Sequence, residues 1–534
     1  MNLYRAFATV GGLTMISRVL GFARDILIAA ALGTGPVADA FFVAFRFPNL
    51  FRRLFGEGAF NAAFVPLFAK RLEADGPQSA RRFAEEAMAG LTLVLALLSI
   101  VCIVAMPWLM QILAPGFVDN PQKYDLAVTL TQIAFPYLLC MCLVALMSGV
   151  LNAMSRFWAA AAAPILLNIV LIGAIVAAIA MGYAGKPEAG TVLAIGVTIA
   201  GLAQLAMLWI AVRRAGMRLS LGRPRYSADM RRLITLGIPG LISGGITQIN
   251  IVVGTIIASL QAGAVSYLYY ADRLYQLPLG IVGVAIGVVL LPDISRRLQA
   301  GDHAAVADSQ NRSCEFSLLL TLPAAVALAV VASPIVSTLF ERGAFTAQDT
   351  ANTAAALVAF AFGLPAFVLQ KVFQPAFFAR EDTRTPMLYA IVNMVVNTVG
   401  ALALFYAFGK IGWQPFVGIA VATSLAGWVN AILLWRTLVH RGHFAADGRL
   451  ARSLPLMALA SLAMGAALWF TAQAMAPLFA EAQPILVRFA ALGGLVSIGL
   501  VTYALLVQAT GAFDFRRLVR WRRDAAPPDS PRAP

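Results

Sequence analysis

Apolar runs of about twenty residues, separated by short polar connections, recur along nearly the whole chain. A run of that length crosses the hydrocarbon core of a bilayer as a helix. The pattern predicts helices over 5–32, 36–69, 82–107, 125–154, 158–181, 190–212, 230–259, 264–295, 313–332, 350–379, 385–408, 416–437, 453–476 and 485–510. The expected fold is an all-α polytopic membrane protein of about fourteen transmembrane helices. An even number places both termini on one side. The first run contains Arg18, Arg24 and Asp25 and has no small-residue cleavage site, so it reads as a membrane helix and not a signal peptide.

Charge orients these helices. The chain carries 40 Lys and Arg against 25 Asp and Glu, a net charge of +15. Twenty-eight of those cations fall at the termini and in the connections after the even-numbered helices, the densest run being Arg213 to Arg232. The opposite connections hold five: Lys123, Lys186, Arg342, Lys410 and Arg488. The positive-inside rule then puts both termini in the cytoplasm. Dispersed over short loops, the arginines suit anionic lipid headgroups and not nucleic acid.

A repeat runs through the pattern. Gly35 and Gly263, Pro66 and Pro292, Pro107 and Pro334, Phe117 and Phe345, and Pro136 and Pro365 recur at offsets of 226–229 residues. Six helices per copy preserve orientation, so the copies are parallel. The predicted organisation is an N-terminal lobe over 1–220 and a second six-helix lobe over 221–446. Helices 13 and 14 follow over 447–512, outside the repeat, and a basic, Pro-rich cytoplasmic tail ends the chain over 513–534. Parallel halves of this kind place substrate between them, near the membrane midplane.

The chemistry is sparse. Cys102, Cys140, Cys142 and Cys314 sit in apolar stretches without zinc spacing or a disulfide framework. No HExxH, phosphate-loop or nucleophile-elbow pattern occurs, so neither an enzyme, a cofactor nor a metal is expected. Gly283 and Gly287 have small-residue spacing suited to helix packing. What stands out is charge inside the helices: Arg18, Arg24, Arg46, Arg52, Arg53, Arg273 and Lys371 against Asp25, Asp39, Glu57 and Asp272. A charge at the bilayer centre costs roughly 2.5–3.5 kcal/mol on insertion scales and therefore faces a partner or a cavity. Asp39, Arg46 and Arg53 lie seven apart on one stripe, as do Arg18 and Asp25. Internal pairs Arg24–Asp39, Arg18–Asp25 and Arg53–Glu57 would account for part of the set, and Arg46 would serve as an anchor. The four anions leave three cations over, a surplus suited to an anionic ligand, for which arginine offers bidentate phosphate contacts.

At these residues the chain resembles the MurJ (MviN) lipid II flippases, within the multidrug/oligosaccharidyl-lipid/polysaccharide exporter superfamily. The stretches that carry the resemblance are Ser17 to Asp25, Ala38 to Phe45, Pro48 to Arg53, Glu57 to Phe60, Tyr269 to Arg273 and Lys371-Val372. The resemblance implies a transporter of the bacterial inner membrane, acting for peptidoglycan synthesis. Its substrate would be lipid II, an anionic polyprenyl pyrophosphate bearing a disaccharide-pentapeptide, moved from the cytoplasmic to the periplasmic leaflet. It implies substrate-binding roles for Arg18, Arg24, Asp39, Arg52, Arg273 and Lys371, with Arg24 and Arg273 on the pyrophosphate. Asp25, Arg53, Glu57, Ser266 and Gln276 complete the candidate set. Helices 13 and 14 would form a groove for the polyprenyl tail. The expected protein is a monomer, with membrane lipids and cell-wall synthesis proteins as partners. Gln276 stands where relatives have Glu. Sodium-coupled members have carboxylates in helices 7 and 11, whereas 233–259 and 387–408 contain no acid here.

Two other readings belong beside this one. A flippase for another lipid-linked oligosaccharide would share the fold and the basic cavity. A lipid-binding membrane scaffold of cell-wall assembly would bind lipid II without transferring it. An exporter of cationic drugs would want an acidic cavity instead, and a membrane glycosyltransferase would need a large soluble loop.

Overall fold

The computed structural model describes residues 3–53 and 59–513. Every regular element among them is helical. In hydrocarbon a backbone must satisfy its own polar groups, and helices do so within one segment. The helices are α1 (Leu3–Leu32), α2 (Pro36–Arg52), α3 (Ala59–Ala74), α4 (Gly76–Val104), α5 (Met106–Leu113), α6 (Pro121–Ala134), α7 (Tyr137–Ala153), α8 (Trp158–Ala180) and α9 (Pro187–Arg214). Then follow α10 (Ala228–Ser259), α11 (Ala264–Gln299), α12 (His303–Val330), α13 (Ala332–Phe340), α14 (Ala347–Phe378), α15 (Arg384–Lys410), α16 (Pro415–His440), α17 (Gly448–Ala474) and α18 (Ile485–Ala509). Ten helical spans among the described residues are long and apolar enough to cross a membrane. Polar connections start several helices by side-chain capping: Asn120 for α6, Ser227 for α10, Asp302 for α12 and Asp447 for α17. The tail over 514–534 and Glu57 lie outside the described residues.

The chain forms two compact units. One comprises 1–270, 339–353 and 397–419. Its helix α8 packs on α1 and α9, α2 on α6, and α3 on α10. A buried apolar cluster centred on Phe64, Phe68, Phe83, Met147 and Leu208 joins α3, α4, α7 and α9. The other comprises 271–338, 354–396 and 420–534. There α17 packs on α12 and α18 around Leu319, Met457 and Leu495. Buried Glu315 of α12 accepts Arg449 Nε at 3.0 Å and also pairs with Arg312, which reaches Asp447.

Two contacts in the first unit have the same form. After α5, Gly116 lies so close to the end of α10 that a Cβ there would strike the Ser259 carbonyl and sit 2.6 Å from Leu260 Cα. After α13, Gly343 lies against the end of α1, where a Cβ would strike the Ala30 carbonyl. Gly343 also has φ +61, a conformation natural to glycine. Residue 343 comes 227 after 116, and 259 comes 229 after 30.

Candidate functional site

Arg24 is the most enclosed of the arginines within the candidate set, with 8% of its surface exposed. Its Nε and one terminal nitrogen donate to Asp25 Oδ1 at 3.1 and 2.8 Å, and the other donates to Asn168 Oδ1 at 3.0 Å. Asn168 is oriented for this by donating its own amide to the Ser17 carbonyl of α1 at 2.9 Å. Gly21 packs beside the same amide, at a distance where a Cβ would make ordinary van der Waals contact, 3.5 Å. Asp25 accepts in addition from the Tyr269 hydroxyl at 3.3 Å. A buried ion pair is tolerated when further hydrogen bonds surround both charges, as here.

Asp39 is fully buried and takes four hydrogen bonds. Lys123 Nζ and the Gly263 amide reach Oδ2 at 2.6 and 2.9 Å. The Ser266 amide and hydroxyl reach Oδ1 at 3.0 and 2.7 Å. The carboxylate of α2 thus sits at the N-terminus of α11, where exposed amides and the helix dipole favour negative charge. Lys123, on α6, also lies 3.9 Å from the centre of the Phe117 ring, a cation–π contact. Ser266 and Tyr269 are three residues apart on α11, so its first two turns hold both Asp39 and Asp25.

The other candidates in α1 and α2 are more open. Arg18 is exposed and makes no hydrogen bond or ion pair among the described residues. Half-buried Arg46 donates to Thr255 of α10 at 2.6 Å. Arg52 donates locally to Asn49 at 2.6 Å, and Arg53 is exposed. In the second unit, Arg273 is half-buried on α11, and exposed Gln276 donates to Asp272 one turn before it. A glutamate at 276 would put two carboxylates together there, so the amide has a local reason. Lys371 of α14 is exposed, and its stem lies against Gly283 of α11, where a Cβ would be 3.5 Å from Lys371 Cγ. Its neighbour Gln370 is occupied structurally, donating to the Gly427 carbonyl at 2.8 Å and accepting from Asn430 at 3.2 Å.

The internal pairing differs from the sequence expectation. Arg24 takes Asp25 and Asp39 takes Lys123, so the pairs Arg24–Asp39 and Arg18–Asp25 do not form among the described residues. Lys123, assigned from sequence to a connection, is a buried side chain because α6 begins at Pro121 and carries it inward. Arg488 is also buried, donating to the Ser337 carbonyl at 2.6 Å. Asn168 was missed as well, although a lone amide in an otherwise apolar helix is a signal of an interior partner.

The fold and these charges define the class as a polytopic helical membrane protein whose helices carry buried ion pairs and further cations. The sequence model of the family "Lipid II flippase MurJ" matches residues 28–487. A "Probable lipid II flippase MurJ" of Rhizobium meliloti (strain 1021) is 50% identical over 506 residues, covering 94% of this chain and 93% of the relative. One of Rhizobium tropici is 47% identical, with 99% of each chain covered. Among solved structures, "Lipid II flippase MurJ, inward closed conformation" aligns with a TM-score of 0.77 at 24% identity, over 96% of this chain and 99% of that one. An inward-facing multidrug resistance MATE transporter aligns at 0.64 with 14% identity, over 82% and 98%. The chain belongs to the MurJ family of lipid II flippases.

Proposed function

We propose that this protein moves lipid II from the cytoplasmic to the periplasmic leaflet by alternating access, and that membrane-embedded cations hold the pyrophosphate on the way. It is a transporter and not an enzyme. The observation that carries the cation assignment is the way the charges divide. Asp25 and Asp39 are committed to Arg24 and Lys123, while Arg18 on α1 and Lys371 on the membrane-length helix α14 stand exposed with no anionic partner among the described residues. Such cations favour an anionic ligand, and the pyrophosphate is the most concentrated negative charge on lipid II. Arg24, engaged with Asp25 and Asn168, and half-buried Arg273 are assigned to the pyrophosphate, because a guanidinium's planar fork suits phosphate oxygens. Arg52, Arg53, Glu57 and Gln276 belong to the proposed site as peripheral polar groups. Asp39 and Ser266 act by positioning α2 against α11.

The two-lobe organisation, both termini cytoplasmic, is part of the same proposal. Its support is the repeat in the sequence together with the matched glycine contacts, Gly116 on the end of α10 and Gly343 on the end of α1. Each copy's turn after its short helix grips the end of the other copy's first helix. The polyprenyl tail is assigned to α17 and α18, whose outward faces carry Leu459, Phe470, Leu486, Leu500 and Leu505, all more than 60% exposed.

Substitution tests the cation assignment. With each variant at normal membrane level and as the sole copy, Arg24→Lys and Arg273→Lys are expected to fail to support growth, because charge without the planar fork is insufficient. Arg46→Lys is expected to be tolerated, since an ammonium also donates to Thr255. Normal growth on Arg24→Ala and Arg273→Ala would contradict the assignment.

A further inference from the structure

Away from the charged helices, an apolar groove of about 410 Å³ runs between α4 and α10 in the first unit. Leu91 and Val94 line one wall, Leu233 and Ile234 the other, and Arg225 and Tyr226 stand at its mouth. Val94, Ile234 and the flanking Leu93 and Ile238 are 42–55% exposed, so the groove opens on an outer face of the unit. One wall, α4, is long and apolar enough to cross a membrane.

The mouth is built. The connection from α9 to α10 is strapped across the start of α4 by Ser220, whose amide and hydroxyl both donate to Glu85 at 2.8 Å. A second strap is Ser227, which donates to Glu86 at 2.6 Å. Residues 221–226 are thereby held over the groove. The nearby carboxylates have cationic partners of their own: Glu85 also pairs with Arg81 at 2.9 Å, and Asp229 with Arg71 at 2.5 Å. Arg223 and Arg225 are exposed and make no hydrogen bond or ion pair among the described residues. Between 213 and 232 the chain has seven arginines and one acid, Asp229.

An apolar slot with a cationic mouth and an interfacial tyrosine complements an amphiphile with an anionic head. We propose that this groove holds an anionic phospholipid of the surrounding bilayer, one acyl chain between α4 and α10 and its phosphate on Arg225, with Arg223 reinforcing the attraction. The proposal needs only the membrane embedding and is independent of what the protein transports.

The test uses the full chain in phosphatidylcholine nanodiscs containing a small fraction of phosphatidylglycerol with a photoreactive acyl chain, cross-links being mapped by peptide mass spectrometry. Labelling is expected within 87–94 and 230–238. The R223Q/R225Q variant, altered only at exposed residues, should lower it about tenfold, the effect of losing one charge-assisted contact. Arg225→Lys should keep most of it, because headgroup attraction needs the charge. Three results would each overturn the proposal: equal labelling by a phosphatidylcholine probe, labelling unchanged in R223Q/R225Q, or displacement of the probe by an equimolar polyprenyl pyrophosphate.

Discussion

A guanidinium persists inside an apolar helix only while its charge is answered, and Arg24 is answered by its own sequence neighbour. Asp25 and Asn168 between them take all three of its nitrogens, so the proposed phosphate contact would compete with these partners. Removing the cation alone strands Asp25, a loss of roughly 3–5 kcal/mol for a broken buried pair. This separates structure from transport. Arg24→Ala should lower the thermal midpoint of the purified protein by several degrees, and the double variant R24A/D25A should recover most of that loss. Neither should transport. Transport by the double variant would reduce Arg24 to a counter-ion for Asp25. The positions of the buried charges were legible in the sequence, since ionised groups stand out in apolar runs. Their partners were not. Lys123 sits two residues inside a helix whose start was read later, at 125, and that shift hid the cation that answers Asp39.

At the scale of elements, helix positions followed from apolar runs, but breaks within them did not. The stretch read as one helix over 125–154 is α6 and α7, interrupted at Phe135 and Pro136. Proline alone does not decide this, for Pro48, Pro164, Pro323 and Pro365 all lie inside continuous helices. The short helices α5 and α13, at Pro107 and Pro334, were also invisible as separate elements, yet they lead into the turns carrying Gly116 and Gly343. Both glycines meet backbone, which cannot swing aside as a side chain can. Gly116→Ala and Gly343→Ala should therefore each destabilise the protein by about 1–3 kcal/mol and reduce transport in parallel. Gly173→Ala, with open space around it, should do neither. Thermal unfolding with a transport assay decides it; one silent glycine among the two would break the proposed equivalence of the copies.

For the whole molecule, orientation rests on charge. Lys123 and Arg488 leave the sparse side of the distribution because both are buried, so Lys186, Arg342 and Lys410 remain there against 28 cations on the other. A topology reporter fused at Gly301 should read cytoplasmic and one at Gly185 periplasmic; the reverse at either site would overturn the orientation. Family and general fold were legible because membrane helices announce themselves by length and the charged motifs by contrast. The conformational contacts were less so, because they join residues hundreds of positions apart, as Asp39 joins Ser266. The most direct measurement is a leaflet-specific assay of lipid II in cells depleted of this protein and supplied with either the native chain or the R24A/R273A variant. The native chain should deliver lipid II to the periplasmic leaflet, while the variant, at equal membrane level, should leave it cytoplasmic. Periplasmic lipid II at native levels in the depleted cells, or in those carrying the variant, would contradict the account.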